Sequence, residues 1–113
     1  MEKITNLEER TFQFAKDVCI HCKKIEKRLE NTDYIKQLIR SSASIGANYI
    51  EVNESLSRKD ALMRARISRK EAKETIYWLR LLNETNNSDM QQLMSEAEQI
   101  KKILSSIIIK LNT

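Results

Sequence analysis

Apolar residues recur at every third or fourth position along almost the whole chain, which is the spacing of one face of an α-helix. Four such runs predict helices over residues 7–29, 34–56, 61–82 and 88–111. Helices of about 22 residues are about 33 Å long. Four of matched length with short loops pack as an antiparallel up-and-down bundle, so we predict an all-α fold with one domain over residues 1–113.

The same spacing predicts which side chains face the core, because residues three and four apart share one face of a helix. On the first two helices these are Leu7, Phe14, Val18, Cys22, Ile25, Leu29, Ile35, Leu38, Ser42, Ile45, Tyr49 and Leu56. On the last two they are Ala61, Ala65, Ser68, Ala72, Ile76, Leu79, Leu93, Ala97, Ile100, Leu104, Ile107 and Leu111.

Short polar residues are predicted to form the three reversals, since the 113 residues include one glycine and no proline. That composition argues against a sheet-rich fold and excludes a P-loop or a GxGxxG motif. The loops are expected at 31–33, 55–60 and 83–88. The glycine, Gly46, lies in a run of small side chains inside the second helix, so we interpret it as a close helix contact rather than a turn.

Helix starts are indicated by capping residues. Asn6 followed by Glu9, and Ser88 followed by Gln91, resemble capping boxes. The Asn31-Thr32-Asp33 segment offers a cap for the second helix.

Targeting signals are absent from the sequence pattern. No apolar run approaches the roughly 18 residues of a membrane span, and Met1-Glu2-Lys3 does not begin a signal peptide. We therefore expect a cytoplasmic protein with no membrane partner.

Apolar residues outside the main stripes point to contacts between subunits. The segment from Ile103 to Ile109 is apolar more than half-way round its helix, and Ile67 and Trp78 lie off the stripe of the third helix. A surface helix of a monomer needs only one stripe. We expect a homo-oligomer.

The sequence gives little support for a metal site or a catalytic site. Cys19-Ile20-His21-Cys22 contains a CxxC, but a closed zinc site needs four ligands and the chain has two Cys and one His. The motif also lies in mid-helix with no preceding strand, unlike a thioredoxin-type pair. We interpret these cysteines as small hydrophobic residues.

Bundle interiors can bind two metals between carboxylates, but that design requires Glu-x-x-His on two helices. Glu51, Glu54, Glu71 and Glu74 supply carboxylates, whereas His21 has no glutamate three residues before it. No nucleophile elbow or triad is present, and carboxylate-only acid–base chemistry has no positive signal. We predict no cofactor, no metal and no enzymatic activity.

The third helix carries the most distinctive surface charge. The chain has a net charge of +4, and residues 58–80 alone contribute +5, from eight Lys or Arg and three Asp or Glu. On a helical wheel, the basic residues and one tyrosine share an arc of about 100°. These candidate nucleic-acid-binding residues are Lys59, Arg66, Arg69, Lys70, Lys73, Tyr77 and Arg80.

Two interpretations of this arc stay open from the residues alone. Arginines and lysines on one helical face suit phosphate oxygens of RNA or DNA. Charge runs on bundle helices are more often solvated faces with pairs such as Lys70–Glu74.

Two segments resemble a known family. Residues 40–51 fit the pattern R-x-x-x-S-I-x-x-N-x-x-E, and residues 65–79 (ARISRKEAKETIYWL) resemble a second signature. The family is that of the bacterial four-helix bundle proteins encoded by intervening sequences of 23S rRNA genes. Its relatives include the accessory variability determinant of diversity-generating retroelements.

The resemblance implies a homopentameric ring with a positively charged surface, and nucleic-acid binding chiefly through the retroelement relative. It brings no catalytic residues. Asn48 and Glu51 match recurring polar positions, which we interpret as a buried or interfacial hydrogen-bonding pair. The leading hypothesis is a non-enzymatic protein that binds RNA or DNA backbone. The alternative is a structural or adaptor oligomer that binds another protein.

Overall fold

The chain folds into four α-helices in a computed structural model that describes residues 6–113. They are α1 (Leu7–Cys22), α2 (Leu29–Glu54), α3 (Arg58–Thr85) and α4 (Gln91–Leu111). The described residues contain no strand, so the predicted all-α class is confirmed. The Met1-Glu2-Lys3 segment lies outside the described residues. None of the four helices has a stretch apolar enough to span a bilayer.

Each helix packs against the next along the chain, and α1 also contacts α4, which gives a four-helix bundle. An ion pair joins the first helix to the last, because Arg10 Nε lies 2.7 Å from Glu96 Oε2. The predicted faces meet in the centre, and burial of their apolar surface is the main stabilising term. The largest fully buried apolar side chains are Phe14, Val18, Leu38, Ile45, Leu79, Leu82, Met90, Ile100 and Leu104.

The first reversal differs from the prediction. Helix α1 ends at Cys22, and α2 begins at Leu29, so residues 31–33 are helical rather than a loop. Asn31 is fully buried and donates to the Glu26 carbonyl at 2.9 Å, so its side chain secures the real loop at 23–28 instead of capping a helix. Leu29, expected in the core, is 89% exposed because the turn begins before it.

The second reversal is shorter than predicted, over residues 55–57. Ser57 caps α3, since its hydroxyl oxygen accepts from the Asp60 amide at 3.1 Å. The first helical turn therefore starts at Arg58, three residues earlier than expected. Leu56 falls in this turn and is 99% exposed, so its assignment to the core is wrong.

The third reversal is displaced toward α4. Helix α3 continues to Thr85, and α4 begins at Gln91. Ser88 is not the cap, because Met90 occupies the N-cap position of α4, and the Gln91 amide donates to Asp89 Oδ1 at 2.9 Å. At the other end of the chain, the predicted cap is confirmed: Asn6 Oδ1 accepts from the Glu8 and Glu9 amides.

Gly46 lies in a regular helical turn of α2 against Thr11 of α1. A Cβ placed on this glycine would stand 2.7 Å from Thr11 Oγ1, closer than side chains can approach. The interpretation of Gly46 as a close helix contact is therefore confirmed.

Much of the extra apolar surface predicted on α3 and α4 is used inside the protomer. Ile103, Ile107 and Trp78 are half-buried and pack against the core. Ile109 is the exception at 65% exposed.

Candidate nucleic-acid interface

The basic arc lies on the side of α3 that faces away from the core. Ala61, Ala65, Ala72 and Leu79 are buried on the opposite side of the same helix. Because the helical period separates the two sets, the charged side chains project outward. The predicted residues are exposed except Arg69, which is half-buried: Lys59, Arg66, Lys70, Lys73, Tyr77 and Arg80.

Most cations of this arc have no acidic partner. Among residues 6–113, only Arg80 of the six has a carboxylate oxygen within 4.0 Å, that of Glu84 at 3.0 Å. The pair anticipated for a solvated face, Lys70–Glu74, does not form. Glu74 Oε1 instead lies 3.1 Å from Arg40 Nη2. The charge of the arc is therefore largely uncompensated within the described protomer.

A shallow depression gathers four of these cations with residues of α4. Its volume is about 390 Å³, and its lining includes Lys101 and Ser105. Arg69 Nη1 donates to Ser105 Oγ at 3.4 Å, which holds this guanidinium over the α3–α4 boundary. The α3 residues that line it are Arg66, Arg69, Lys70 and Lys73.

Lys101 also lines this depression, and the helical wheel of α3 could not predict it. It comes from a second helix, and its position depends on the register between α3 and α4. Lys101 also contacts Glu98 at 3.2 Å, so part of its charge is compensated.

Tyr77 lies on the arc, and its ring is held edge-on against Trp78. The ring centroids are 5.1 Å apart with an interplanar angle of 82°, and Trp78 in turn packs beside Tyr34 at 6.0 Å. The Tyr77 side chain is 58% exposed. Such an anchored aromatic face beside cations can stack on an unpaired base.

The signature segments of α2 and α3 meet in a polar network beside this surface. Arg40 lies 3.1 Å from both Glu71 and Glu74, and Glu71 is buried. The hydrogen bond to Glu71 raises the pKa of Arg40. Thr75 donates to Ser41 Oγ at 2.8 Å in the same interface. These contacts join α2 to α3 and fix the orientation of the basic arc.

Asn48 and Glu51 do not form a pair with each other in the protomer. Asn48 donates to the Ser44 carbonyl at 2.9 Å and accepts from Arg64 Nη1 at 3.4 Å. The Glu51 side chain is exposed. Asn48 and Glu51 are therefore not a buried pair within the protomer. Their role at an interface between subunits stays a prediction.

The two cysteines of the CxxC segment lie in different environments, and only Cys22 belongs to the core. Cys22 is buried, and desolvation raises its pKa to about 11. Cys19 is exposed, and neither cysteine is in a disulfide. Over residues 6–113, no group of three or more His, Cys, Asp or Glu is arranged to hold a metal.

What this surface can do chemically follows from its charge and shape. The basic arc presents cations that lack acidic partners, a half-buried arginine that donates to a serine hydroxyl, and one tyrosine ring held against Trp78. That combination can hold phosphate oxygens without reading base edges.

Comparison with known proteins agrees on the family. A family model described as 23S rRNA-intervening sequence protein matches residues 5–106. A crystal structure of a protein of unknown function from the S23 ribosomal protein family of Bacteroides thetaiotaomicron VPI-5482 is 31% identical. The match covers 91% of this chain and 98% of that one, with a TM-score of 0.81. No curated protein matches the chain. The chain belongs to the 23S rRNA-intervening sequence protein family.

Proposed function

We propose that this protein is a non-enzymatic binder of RNA or DNA backbone, and that the basic arc of α3 is the contact surface. The observation that carries the proposal is the lack of acidic partners for Arg66, Arg69, Lys70 and Lys73 within 4.0 Å among residues 6–113. A solvated bundle face would be expected to carry i, i+4 pairs that join these cations to acidic residues, such as Lys70 to Glu74.

Assembly would strengthen such binding. We propose a homo-oligomer, and the family resemblance favours a ring of five copies. A ring would repeat the +5 segment of residues 58–80 around its surface. Repeated sites on one particle raise the overall affinity for a long polyanion without any new type of contact.

Salt dependence tests the phosphate contact directly. We would measure binding of labelled structured RNA and of duplex DNA between 50 and 200 mM salt, starting at micromolar protein. Each phosphate neutralised contributes about 0.9 to the slope of log K against log salt on duplex DNA. Four contacts per protomer therefore predict a loss of affinity on the order of a hundredfold across that range.

A matched pair of variants locates the surface. Arg66→Glu with Lys73→Glu should abolish binding, whereas Lys24→Glu with Lys27→Glu changes the net charge equally at exposed residues outside the arc. Circular dichroism should show unchanged helicity in both.

If neither nucleic acid binds at 50 mM salt, the proposal fails. The function that remains is then the structural or adaptor oligomer. Equal loss of binding in the two variants would show that net charge, not the arc, is responsible.

A further inference from the structure

A second hollow lies on α3, at the carboxyl-terminal end of the basic arc. It is lined by Tyr77, Arg80, Leu81 and Glu84, and we call it the tyrosine hollow. Its volume is about 170 Å³. The depression over the α3–α4 boundary is lined by cations and Ser105, whereas the tyrosine hollow combines an aromatic ring, an aliphatic side chain and an ion pair. This difference in lining indicates that the two hollows suit different parts of a ligand.

Both hollows open on the same face of α3. At about 100° per residue, Arg66, Lys73 and Tyr77 lie within about 40° of one another on the helical wheel. The midpoints of the two linings are about 11 residues apart, which is about 16 Å along the helix axis. Stacked nucleotides follow one another at about 3.4 Å, so about five nucleotides of one strand span the distance between the hollows.

Tyr77 offers an aromatic face that is already held in place. Its ring centroid lies 5.1 Å from that of Trp78, which is half-buried and packs against the core. Because this contact restricts the ring before any ligand arrives, little ordering is needed on binding. Every base has a π-face that can stack on such a ring. In a duplex the neighbouring base pairs cover that face, so Tyr77 can stack only on a base outside a double helix.

Glu84 is the one acidic residue among the described side chains that line the two hollows. A carboxylate repels phosphate, so its position on a basic face favours contact with another part of a nucleotide. Its Oε2 accepts from Arg80 Nε at 3.0 Å, and its Oε1 has no hydrogen-bond partner within residues 6–113. A carboxylate only accepts hydrogen bonds, and the exocyclic amines of adenine, cytosine and guanine can donate them.

We propose that the tyrosine hollow binds one unpaired base of an RNA or DNA strand whose backbone follows the cations of the basic arc. The base stacks on Tyr77, and its exocyclic amine donates to Glu84 Oε1. The inference rests on the proposed function and adds the class of ligand, which is a single-stranded segment rather than a duplex.

The test compares unpaired and paired strands by fluorescence anisotropy at 50 mM salt. The probes are labelled oligo(C) of about 12 nucleotides, as RNA and as DNA, and a duplex DNA of equal length. Tyr77→Ala should weaken binding of the unpaired strands about tenfold and of the duplex by less than about twofold. Tyr77→Phe keeps the ring and should recover the loss. Equal losses on RNA and DNA are expected, because stacking does not involve the sugar.

Ile20→Ala is the matched control for this test. It also shortens an exposed side chain, but on α1, which does not pack against α3. Its affinity for every probe should equal that of the wild type, and circular dichroism should show unchanged helicity in all variants. A loss with Ile20→Ala as large as that with Tyr77→Ala would contradict the assignment to the tyrosine hollow.

Glu84→Gln tests the contact with the amine through a ratio of affinities, because removing a negative charge strengthens every phosphate contact. Cytosine and uracil are both pyrimidines, but uracil has no exocyclic amine. The wild type should therefore bind oligo(C) about three to ten times more tightly than oligo(U). A glutamine can also donate to the uracil oxygens, so the ratio should fall toward one. An unchanged ratio would contradict the role of Glu84.

The salt slope separates failure of this proposal from failure of the proposed function. Tyr77→Ala should leave the slope of log K against log salt unchanged, because no phosphate contact is lost. Steep salt dependence with an affinity for unpaired strands that does not depend on Tyr77 would overturn the base site and leave the phosphate contact intact. An equal loss on duplex and unpaired strands would overturn it as well. If no nucleic acid binds at 50 mM salt, both proposals fail.

Discussion

Asn31 and Asn86 exchange two amide hydrogen bonds, at 2.9 and 3.0 Å, and thereby join the start of α2 to the end of α3. Asn31 is fully buried, and its second N–H reaches the Glu26 carbonyl. Asn86 Oδ1 also accepts from Arg28 Nη2 at 2.6 Å. Two loops at one end of the bundle are therefore fixed to each other by one pair of side chains.

Replacing Asn31 with Ala should destabilise the protein by about 2–3 kcal/mol, because it removes three hydrogen bonds of a fully buried side chain, each worth about 1 kcal/mol. Urea denaturation at a fixed protomer concentration measures the change, as a lower midpoint with an unchanged m-value.

Asn87 provides the control for this prediction. It is exposed and adjacent to Asn86, so Asn87→Ala should change stability by less than about 0.5 kcal/mol. A similar loss in both variants would show that the reciprocal pair is not the cause.

Gly46→Ala should also destabilise the protein, although Ala favours a helix by about 1 kcal/mol over Gly. The new methyl group would meet Thr11 Oγ1 at 2.7 Å, and that hydroxyl is buried and bonded to the Leu7 carbonyl. Because Thr11 cannot move away cheaply, α1 and α2 must separate, at about 1–3 kcal/mol. Thermal unfolding should show a lower midpoint.

The double variant with Thr11→Ala isolates the clash. Removing the hydroxyl relieves the closest contact, so the two changes together should cost about 1 kcal/mol less than their sum. Simple additivity would mean that the destabilisation has another origin.

The helical fold could be predicted because apolar spacing directly reflects the buried faces. The ends of the helices were harder to predict from the sequence where a polar residue is buried. Asparagine is a residue type that often caps helices, yet the hydrogen bond from Asn31 to Asn86, 55 positions away, places Asn31 in the interior. Long-range hydrogen bonds of this kind leave no local pattern in the sequence.

The candidate site shows the same division. The basic arc of α3 is visible on a helical wheel, because it depends on one helix. The place of Lys101 beside it depends on the α3–α4 register. Glu74 could pair equally well with Lys70 on its own helix by spacing, and only the packing of α2 on α3 assigns it to Arg40.

Arg40→Met should destabilise the protein by about 1–3 kcal/mol. It preserves the aliphatic length but leaves the buried Glu71 carboxylate without its cation at 3.1 Å. Adding Glu71→Gln should recover part of the loss, since a neutral amide is less costly to bury than an unpaired charge. Chemical denaturation of the two variants measures this, and a double variant no more stable than Arg40→Met would contradict the assignment.

Stability should fall as pH rises from 9 toward 11, in part through Cys22. Burial raises the pKa of this thiol from 9.0 to about 11, so the unfolded chain loses its proton first. The stabilising contribution is complete below pH 9 and is lost as the pH passes through the folded-state pKa, by on the order of 2 kcal/mol. Urea denaturation at pH 8, 9, 10 and 11 measures it against Cys22→Ala, which lacks the thiol. The variant should be less stable at pH 8 because of lost packing, and the difference between the two proteins should shrink toward pH 11. Parallel pH curves for both would assign the alkaline loss to lysines and tyrosines instead.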